Sequence, residues 1–505
     1  MSEKSPQCQS TSTSPDAIQI KSRKIITPSS PLSIGPIFRL GPLDQLVLTF
    51  IPVAVVYIYP SSPTLSSPVP IDKLRRATSI LLNTYPHLSG RLGVDPEHGG
   101  AHIRNTGTGC EIFEATSAST LEEYRRNGRI NLLDLPGKGE DLLAPYDFRN
   151  TKIEDQVVFT IQHTRFACGG VSLGIRILHC LNDGGGFFQL VKDLADVYRN
   201  LDNNDQEEGA VKSITPPYLP NWEVEATEEE KEEARTYKPA LYYLVPESEH
   251  EPEPDTKEKE ELAAPDIPLP TQAQPTITGQ VLHFTLSDLT LLKELATPKD
   301  PDGQGYITTF DVLAAHLHQR IYQARSRFYS TNPDLGPLGP PDLLCPIDLR
   351  QHLNLDRYPF NAVFTTTTQF SPELLIHNST LPQVASLIHA QVRPFPSSAS
   401  ASGPEEVRKT IKWIASIDRS RIKHDFRGGN ASVMISQWNK MDMYTQAVFD
   451  EGVKPELVVP PFTPISLHDG LGYTLPTPPG DGEGGGIDVY LALREGVWEE
   501  LDVGV

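Results

Sequence analysis

The chain has 505 residues, of which 38% are hydrophobic and 46 are prolines, and its formal net charge at pH 7 is −21. A chain of this length can bury a large core in two or three domains, and its composition excludes a fibrous or wholly disordered protein. The acidic balance argues against nucleic acid or an anionic membrane as the main partner.

The first part of the chain predicts a tail followed by a folded half. Residues 1–32 are rich in Ser, Thr, Lys and Pro without periodicity, and we expect a disordered tail there. An N-terminal domain over residues 33–222 follows. Its apolar run Leu46–Tyr59 is shorter than the roughly 18 residues of a membrane span and predicts a buried strand and turn. Apolar residues recur at three and four positions over Ile71–Pro86, which predicts a helix.

The segment HCLNDGGGFF, His179–Phe188, is the best candidate for chemistry. It follows Val157–Leu178, which predicts two strands, and overlaps a predicted helix over Phe187–Asn200. A histidine at a strand end projects into a cleft on a rigid frame, and its imidazole can take a proton from a hydroxyl or an amine near neutral pH. The glycines after Asp183 let a turn or a substrate come close to the main chain.

The same spacing has an ordinary explanation. A histidine at a strand end is commonly a hydrogen-bonded structural group, and His-x-x-x-Asp arises by chance in a chain with 14 histidines. His352 and Asp356 repeat the spacing. Only the first copy has a strand before it and glycines after it, which favours His179 as the functional histidine.

An acidic segment separates the two halves of the chain. Between Glu223 and Leu262 there are fifteen Asp and Glu residues against five Lys and Arg residues, with few apolar side chains to bury. Residues 223–276 are therefore predicted to form a solvated crossover linker, and an acidic partner-binding segment is the alternative.

A C-terminal domain is predicted over residues 277–505. Helices are expected after a cap at Ser287 and over Thr308–Arg325, and strands are expected over Asp342–Arg350 and Gly486–Arg494. Because strands and helices alternate in both halves, the predicted fold class is α/β or α+β with mixed sheets.

Cysteine usage and the start of the chain favour a cytoplasmic protein. The five cysteines are an odd number without Cys-x-x-Cys spacing, which indicates neither a disulfide framework nor a zinc site. No secretory signal is recognisable at the N-terminus. We therefore expect a reducing compartment, no metal and no membrane span.

Short blocks along the chain together resemble the BAHD-type acyl-CoA-dependent acyltransferases. They occur in that family's order and cover most of the folded chain: GPLDQL, YPHLSGRL, TRFACGG, the segment at His179, TTFDVLAAHL, IDLRQ, YPFNAV, SQWNKMDMY and GIDVYLALREGVWEEL. One block departs from the family. Where the family has DFGWG, this chain has VFDEGVKP without the tryptophan, which is similar to fungal members and bears on local geometry and donor affinity more than on catalysis.

The resemblance implies two similar domains with mixed β-sheets and flanking helices, as in chloramphenicol acetyltransferase, and an active-site channel between them. Acyl-CoA would enter as co-substrate from one face, and a small-molecule alcohol or amine of secondary metabolism from the other, in a monomer. His179 would be the general base in a ternary complex, without a covalent intermediate or a permanently bound cofactor.

The resemblance also implies structural roles at the active site. Asp183 would turn away from the channel and pair with Arg350, which would orient the loop that carries the histidine. Gly184 would be structural in the same loop, and Asn361 would be an amide that stabilises a loop near the channel. Breaking one partner of a buried ion pair typically costs several kcal/mol, so Asp183 should matter for folding as well as rate.

Three further residues are candidates for contacts with the reacting groups. The family block similar to SQWNKM implies that Trp438 and Ser436 donate to the oxyanion of the tetrahedral intermediate. A tryptophan in a strand is also a common core residue. Free amides at the start of the helix near Thr309 could bind the phosphates of CoA, although ordinary helix capping explains that position equally well.

Two other functions remain open. Gly170–Gly174 matches Gly-x-Ser-x-Gly, so Ser172 could be the nucleophile of a serine hydrolase, but that motif needs a helix after the strand and the following IRILHC continues a strand pattern. The chain could instead be a catalytically silent scaffold or a condensation-type domain that acts on carrier-protein thioesters. Such domains usually have a second histidine beside the first. Here Leu178 precedes His179, which favours free acyl-CoA.

Overall fold

Two six-stranded mixed sheets organise the chain in the computed structural model, one in each half. The structure describes residues 18–32, 34–35, 37–63, 65, 67–94, 100–147, 156–201, 214–220, 227–239, 242–244, 276–297, 306–393, 402–417, 421–424, 429–478 and 485–505. Within these ranges, no helix combines the length and the apolar character that a membrane crossing needs.

The strands are numbered in chain order. Those up to the histidine are β1 (Gln19–Ile26), β2 (Ile37–Arg39), β3 (Pro52–Tyr59), β4 (Arg91–Val94), β5 (Ala101–Arg104), β6 (Cys110–Thr116), β7 (Arg125–Arg126), β8 (Arg129–Ile130), β9 (Phe159–Arg165) and β10 (Val171–Leu178). Those after it are β11 (Tyr242–Leu244), β12 (Ile277–Phe284), β13 (Asp342–Asp348), β14 (Val363–Gln369), β15 (Ile422–His424), β16 (Val433–Gln437), β17 (Leu457–Val459), β18 (Leu471–Pro476) and β19 (Ile487–Arg494).

The helices pack against these strands and against one another. They are α1 (Ile71–Thr84), α2 (Gly184–Asn200), α3 (Glu228–Thr236), α4 (Leu286–Ala296), α5 (Thr309–Thr331), α6 (Arg350–Leu353), α7 (Pro372–Ile376), α8 (Leu381–Gln391), α9 (Ser402–Ser416) and α10 (Glu495–Glu500). The predicted helices at Ile71, Phe187 and Thr308 are thus present as α1, α2 and α5.

The first sheet has the order β1-β6-β9-β10-β3-β17, with β6 parallel to β9 and the other neighbours antiparallel. Its central strands β9 and β10 are buried at nearly every position, as expected of strands covered on both faces. Helices α1 and α2 pack together and share the core of this sheet. The histidine segment therefore begins directly after the most deeply buried strands of the first half.

The second sheet has the order β12-β19-β18-β16-β13-β14, with β16 parallel to both β13 and β18. Helices α4, α5 and α8 pack together over it and share a second core. The predicted class, two units of mixed sheet with flanking helices, is confirmed.

The prediction of a disordered tail over residues 1–32 is wrong for its last part. Strand β1 pairs antiparallel with β6 at the edge of the first sheet. Its polar side chains have acidic partners on β6, because Arg23 forms an ion pair with Glu111 and the hydroxyl of Ser22 donates to Glu114 at 3.0 Å. Residues 1–17 lie outside the described chain.

The prediction of a solvated linker over residues 223–276 is also wrong in part. Helix α3 lies beside α9, and the hydroxyls of Tyr237 and Thr410 are 3.2 Å apart. Strand β11 pairs with β15, and the ring of Tyr242 packs on that of Trp413. The aromatic residues of this otherwise acidic segment provide the apolar contacts that dock it onto the C-terminal half. Most of the remaining linker falls outside the described residues.

The predicted boundary at residue 222 does not separate the two cores. Strand β17, from the C-terminal half, pairs with β3 and completes the first sheet. The block VFDEGVKP, which differs from the family's DFGWG, also packs on the first half. Phe449 packs edge-on against Tyr198. Asp450 accepts hydrogen bonds from the main chain of Val69 at 2.6 Å and from the hydroxyl of Tyr198 at 2.9 Å. Long-range pairing of this kind leaves no local mark in the sequence.

Two helix starts refine the sequence predictions. Helix α4 is capped by Thr285 and not by Ser287, since Thr285 and Asp288 exchange hydrogen bonds in a capping box. Helix α5 begins at Thr309 with Thr308 as its cap, again through a box with Asp311.

Candidate active site

His179 is the first residue of a short 3-10 turn, His179–Leu181, directly after β10. Its main chain is held on both sides: the N–H donates to the carbonyl of Ile51 at 2.7 Å, and the carbonyl accepts from Nδ2 of Asn361 at 2.8 Å. The side chain is half-buried, and Nδ1 is buried without a hydrogen-bond partner among the described residues. The fold thus fixes the main chain of this histidine on both sides. Residues 179–186 are called the histidine loop below.

Asp183 and Arg350 form the ion pair that the resemblance implies. The guanidinium donates to both carboxylate oxygens, with Nη2 to Oδ1 at 2.7 Å and Nη1 to Oδ2 at 3.1 Å. Asp183 also caps α2 by accepting from the N–H of Gly186 at 2.9 Å, and Arg350 donates to the carbonyl of Phe360 at 2.8 Å. Burial lowers the pKa of Arg350, but the charges of Asp183 and Asp348 outweigh it and hold that pKa above its usual value. The pair ties the histidine loop to the C-terminal half.

Each glycine of the histidine loop makes room for a group from the C-terminal half. A Cβ on Gly184 would lie 3.2 Å from the indole of Trp438, and one on Gly185 would lie 2.8 Å from Nη1 of Arg350. A Cβ on Gly186 would lie 2.0 Å from the carbonyl oxygen of Pro359. The three consecutive glycines are therefore explained by close packing across the two halves, with Gly184 adjoining the predicted oxyanion donor.

Asn361 lies at the centre of a buried polar cluster. Its main-chain N–H and its Nδ2 both donate to Oδ1 of Asp44 at 2.8 Å, and Nδ2 also donates to the carbonyl of His179. Oδ2 of Asp44 accepts from the N–H of Gly41 at 3.0 Å. Burial raises the pKa of the Asp44 carboxyl to about 7, although the hydrogen bonds from Asn361 and Gly41 lower it. Sequence reasoning missed Asp44, even though it is the charged residue of the GPLDQL block.

Trp438, two residues after Ser436 in the chain, reaches the edge of the histidine loop from the second sheet. The indole of Trp438 faces Gly184 and packs edge-on against Phe188 of α2, and its other neighbour is the ring of Tyr473 at 4.8 Å. Ser436 lies in β16, opposite Tyr473 of β18. Within the described ranges, neither the indole nitrogen nor the Ser436 hydroxyl has a hydrogen-bond partner in the protein. Both groups are chemically available as donors.

A groove of about 890 Å³ lies on the C-terminal half and is called the C-terminal groove below. Its lining comes from the ends of α4, α5, β16, β18 and β19: Leu286, Leu289, Thr290, Lys293, Glu294, Thr297, Tyr306, Thr308, Thr309, Phe310, Gln437, Asn439, Lys440, Pro476, Thr477, Gly485, Gly486 and Ile487. Gln437 and Asn439 flank Trp438 in the chain, so part of the groove lining adjoins the residue that packs on the histidine loop.

Thr309 lies in the C-terminal groove, but its helix end is less suited to phosphate than the sequence implied. The capping box uses the amide of Asp311, and that carboxylate adds a negative charge to the first turn. Two cations in the same groove, Lys293 and Lys440, were missed in the sequence because nothing in their local pattern marks them. They form no ion pair with any residue that the structure describes.

Ser172 does not form a nucleophile elbow. It lies inside β10, fully buried and paired in register with Ile58 and Thr164. The strand continues to Leu178, and α2 begins only at Gly184, so the strand, sharp turn and helix that the hydrolase motif requires are not present at this serine. The prediction that Ser172 is a strand residue is confirmed.

Comparison with known proteins identifies relatives in sequence. A family described as the Transferase family matches residues 17–501. Acyltransferase GLAUCE of Arabidopsis thaliana is 31% identical over 180 residues, which cover 36% of this chain and 38% of that protein. The 2-alpha-hydroxytaxane 2-O-benzoyltransferase of Taxus cuspidata is 30% identical over 169 residues, which cover 32% of this chain and 35% of that protein. The aligned segments thus span little more than a third of each relative.

Solved structures share the fold over nearly the whole chain. Vinorine synthase superposes with a TM-score of 0.63 at 16% identity and covers 96% of this chain and 97% of its own. TRI101 of F. sporotrichioides, complexed with coenzyme A and T-2, superposes with a TM-score of 0.63 at 19% identity and covers 92% of this chain and 96% of its own. From the match over residues 17–501, this chain belongs to the transferase family of BAHD acyltransferases.

Proposed function

We propose that this protein transfers an acyl group from acyl-CoA to a hydroxyl or an amine of a small-molecule acceptor, with His179 as the general base. The observation that carries the proposal is the histidine at the end of β10, held by its main chain in a loop that packs closely against residues of the C-terminal half. Because Nδ1 is buried, Nε2 is the nitrogen left to meet a substrate. A general base at this position would contribute about 10²–10⁴ in rate.

The chemistry follows from this placement. Nε2 of His179 takes the proton of the acceptor as its oxygen or nitrogen attacks the thioester carbonyl, and a tetrahedral intermediate forms. The indole of Trp438 and the hydroxyl of Ser436 would donate to its oxyanion, where each donor is worth on the order of 10²–10³ in rate. When the carbon–sulfur bond breaks, the imidazolium returns a proton to the departing thiolate. No covalent enzyme intermediate is required.

The C-terminal groove is the proposed donor site. Its volume of about 890 Å³ leaves room for part of a CoA molecule, and the lining that adjoins Trp438 would bring a thioester towards the histidine loop. Lys293 and Lys440 would bind phosphates of CoA as point charges, with Thr309 contributing a polar contact. The similar TRI101 structure contains coenzyme A, which supports this choice of donor.

The acceptor would enter from the opposite side, through a channel between the two halves. Several relatives are named as acyltransferases of specialised metabolites, among them the taxane benzoyltransferase, and this supports a small alcohol or amine of secondary metabolism. We further propose that the protein acts as a cytoplasmic monomer, since both halves of the proposed site come from one chain.

The test is CoA release in the presence of acetyl-, malonyl- or benzoyl-CoA and pooled alcohols and amines, with product mass as a second readout. His179→Ala should lower acceptor-dependent release by at least about 10²-fold. The matched control is His352→Ala, which alters the other His-x-x-x-Asp copy and should retain activity. Equal activity in His179→Ala and wild type, or release without any acceptor, would contradict the proposal.

A further inference from the structure

The position of His179 depends on groups that do not touch the substrate. In many hydrolytic sites a carboxylate orients the base through its second ring nitrogen. Here Nδ1 has no hydrogen-bond partner in the described part of the chain. The polar contacts of this residue are made by its main chain, to Ile51 on one side and to Asn361 and Asn182 on the other.

The contact between Asn361 and His179 is itself directed by Asp44. The side-chain amide of Asn361 has two hydrogens on Nδ2, and they point to Oδ1 of Asp44 and to the carbonyl oxygen of His179, both at 2.8 Å. If the amide were flipped, its oxygen would face a carboxylate and a carbonyl at once. Asp44 therefore selects the one amide orientation that supports the histidine.

Asp44 is well placed for this task. It is completely buried in the short turn Asp44–Leu46, and its second oxygen is anchored by the N–H of Gly41. It makes no ion pair with any cation in the described chain, so its contacts are directional hydrogen bonds. Asp44 also accepts from the main chain of Asn361 at 2.8 Å, while Asp183 accepts from the next residue, Ala362, at 2.9 Å.

We propose that Asp44 is a positioning residue for His179, because its carboxylate fixes the amide of Asn361, which holds the main-chain carbonyl of the histidine. This inference rests on the proposed acyl transfer only for its kinetic consequence. Asp44 and Asp183, two carboxylates of the first half, would then both bind the segment of the second half that contains Asn361 and Ala362. Asp183 caps the helix that follows the histidine, and Asp44 determines the position of the histidine through Asn361.

The kinetic test uses Asp44→Ala, Asn361→Ala and the double variant in the full-length protein, with the donor and acceptor that give turnover in wild type. Each single variant should lower kcat by about 10- to 10²-fold with a much smaller change in the KM for acyl-CoA, since an ångström-scale misplacement of a reacting group costs up to about 10²-fold. The double variant should lose no more than the larger single loss. Losses that multiply would show that Asp44 does not act through Asn361 and would overturn the inference.

A conservative variant separates positioning from folding. In Asp44→Asn the amide oxygen can still accept both N–H groups of Asn361, because two donors there outcompete the single N–H of Gly41. Its kcat should recover most of the loss seen in Asp44→Ala, even if the melting temperature falls. The matched control is Asp469→Ala, which removes the carboxylate that pairs with the buried Arg325 at 3.0 Å in the second half, away from the histidine loop. It should destabilise the protein and leave kcat per folded molecule unchanged.

A spectroscopic readout makes the test independent of turnover. With labelled histidine, the ring resonance that disappears in His179→Ala should shift or broaden in Asp44→Ala and Asn361→Ala, and stay in place in Asp469→Ala. An unchanged resonance in folded Asp44→Ala would overturn the inference. If wild type lacks acyl-transfer activity, the proposed function fails, and the resonance still decides whether Asp44 positions His179.

Discussion

The histidine loop is one continuous segment of chain, whereas the C-terminal groove is assembled from the ends of several elements of the second half. The loop makes several contacts with the C-terminal half. Asp183 forms an ion pair, the carbonyl of His179 accepts a hydrogen bond, and three glycines leave room for closely packed groups. The groove instead presents Lys293 and Lys440 without ion-pair partners in the described chain.

Because of this difference, the two regions should respond differently to mutation. In the loop, stability and catalysis depend on the same contacts, because the groups that hold the fold together also hold the histidine. In the groove, Lys293 and Lys440 can change without disturbing a core, so the effect of replacing them should be confined to binding. Mutations in the two regions should therefore separate kcat and stability from KM.

The largest effect is expected from breaking the ion pair of the histidine loop. Arg350→Ala leaves the carboxylate of Asp183 buried and unpaired, which should lower the free energy of unfolding by about 3–5 kcal/mol and reduce kcat as well. Arg350→Lys keeps the charge but loses the two-pronged contact, so it should fall between wild type and alanine. Denaturant unfolding and steady-state kinetics measure both quantities.

The control for this prediction is another buried arginine. Arg325 is fully buried in the second half and pairs with Asp469 at 3.0 Å, away from the histidine loop. Arg325→Ala should destabilise the protein to a similar degree and keep kcat per folded molecule. If Arg350→Ala lowers stability and leaves kcat unchanged, the histidine loop does not couple folding to catalysis, and the two regions do not differ in the way argued above.

The histidine loop was largely predictable because its information is local. Strand β10, the histidine, the cap at Asp183 and the start of α2 follow one another in the sequence, and the partner Arg350 came from the family resemblance. Asp44 was not predictable, since its importance comes from a contact with Asn361 that lies far along the chain. A single buried carboxylate in an ordinary turn has no sequence pattern of its own.

The fold shows the same limit. The local pattern of apolar residues located β9, β10 and α1, because a strand buried on both faces has a nearly continuous apolar run and a helix buried on one face repeats its apolar residues every three or four positions. Periodicity could not reveal that β17 completes the first sheet, or that β1 continues that sheet at its far edge. Strand β1 has few apolar residues, and its stability depends on acidic partners on β6 that only the pairing supplies.

A smaller effect is expected in the C-terminal groove. The double variant Lys293→Ala and Lys440→Ala should raise the KM for acyl-CoA about tenfold, because two partly exposed cations contribute roughly 0.2–1 kcal/mol each to a phosphate contact. The value of kcat and the melting temperature should stay near those of wild type. Raising the salt concentration should narrow the difference in KM between the two proteins.

Lys192→Ala is the matched control for charge, since it removes a lysine of α2 that pairs with Asp196 outside the groove. Its KM should equal that of wild type. An equal rise in KM for Lys192→Ala would mean that overall charge and not the groove determines donor binding. A fall in kcat for the groove variant would show that the groove, like the histidine loop, affects catalysis as well as binding.

The smallest effect concerns the pH dependence of stability at Asp44. Burial raises the pKa of this carboxyl to about 7 in the folded protein, well above the roughly 3.9 of an unfolded chain. Between these values the folded state binds a proton that the unfolded state does not bind, so this contribution to stability is present at low pH and is lost as the pH rises through about 7. Asp44→Asn does not titrate. The melting temperature of wild type minus that of Asp44→Asn should therefore decrease from pH 5 to pH 8. A difference that is constant or that grows with pH would show that its three hydrogen bonds, and not burial, govern the ionisation of Asp44.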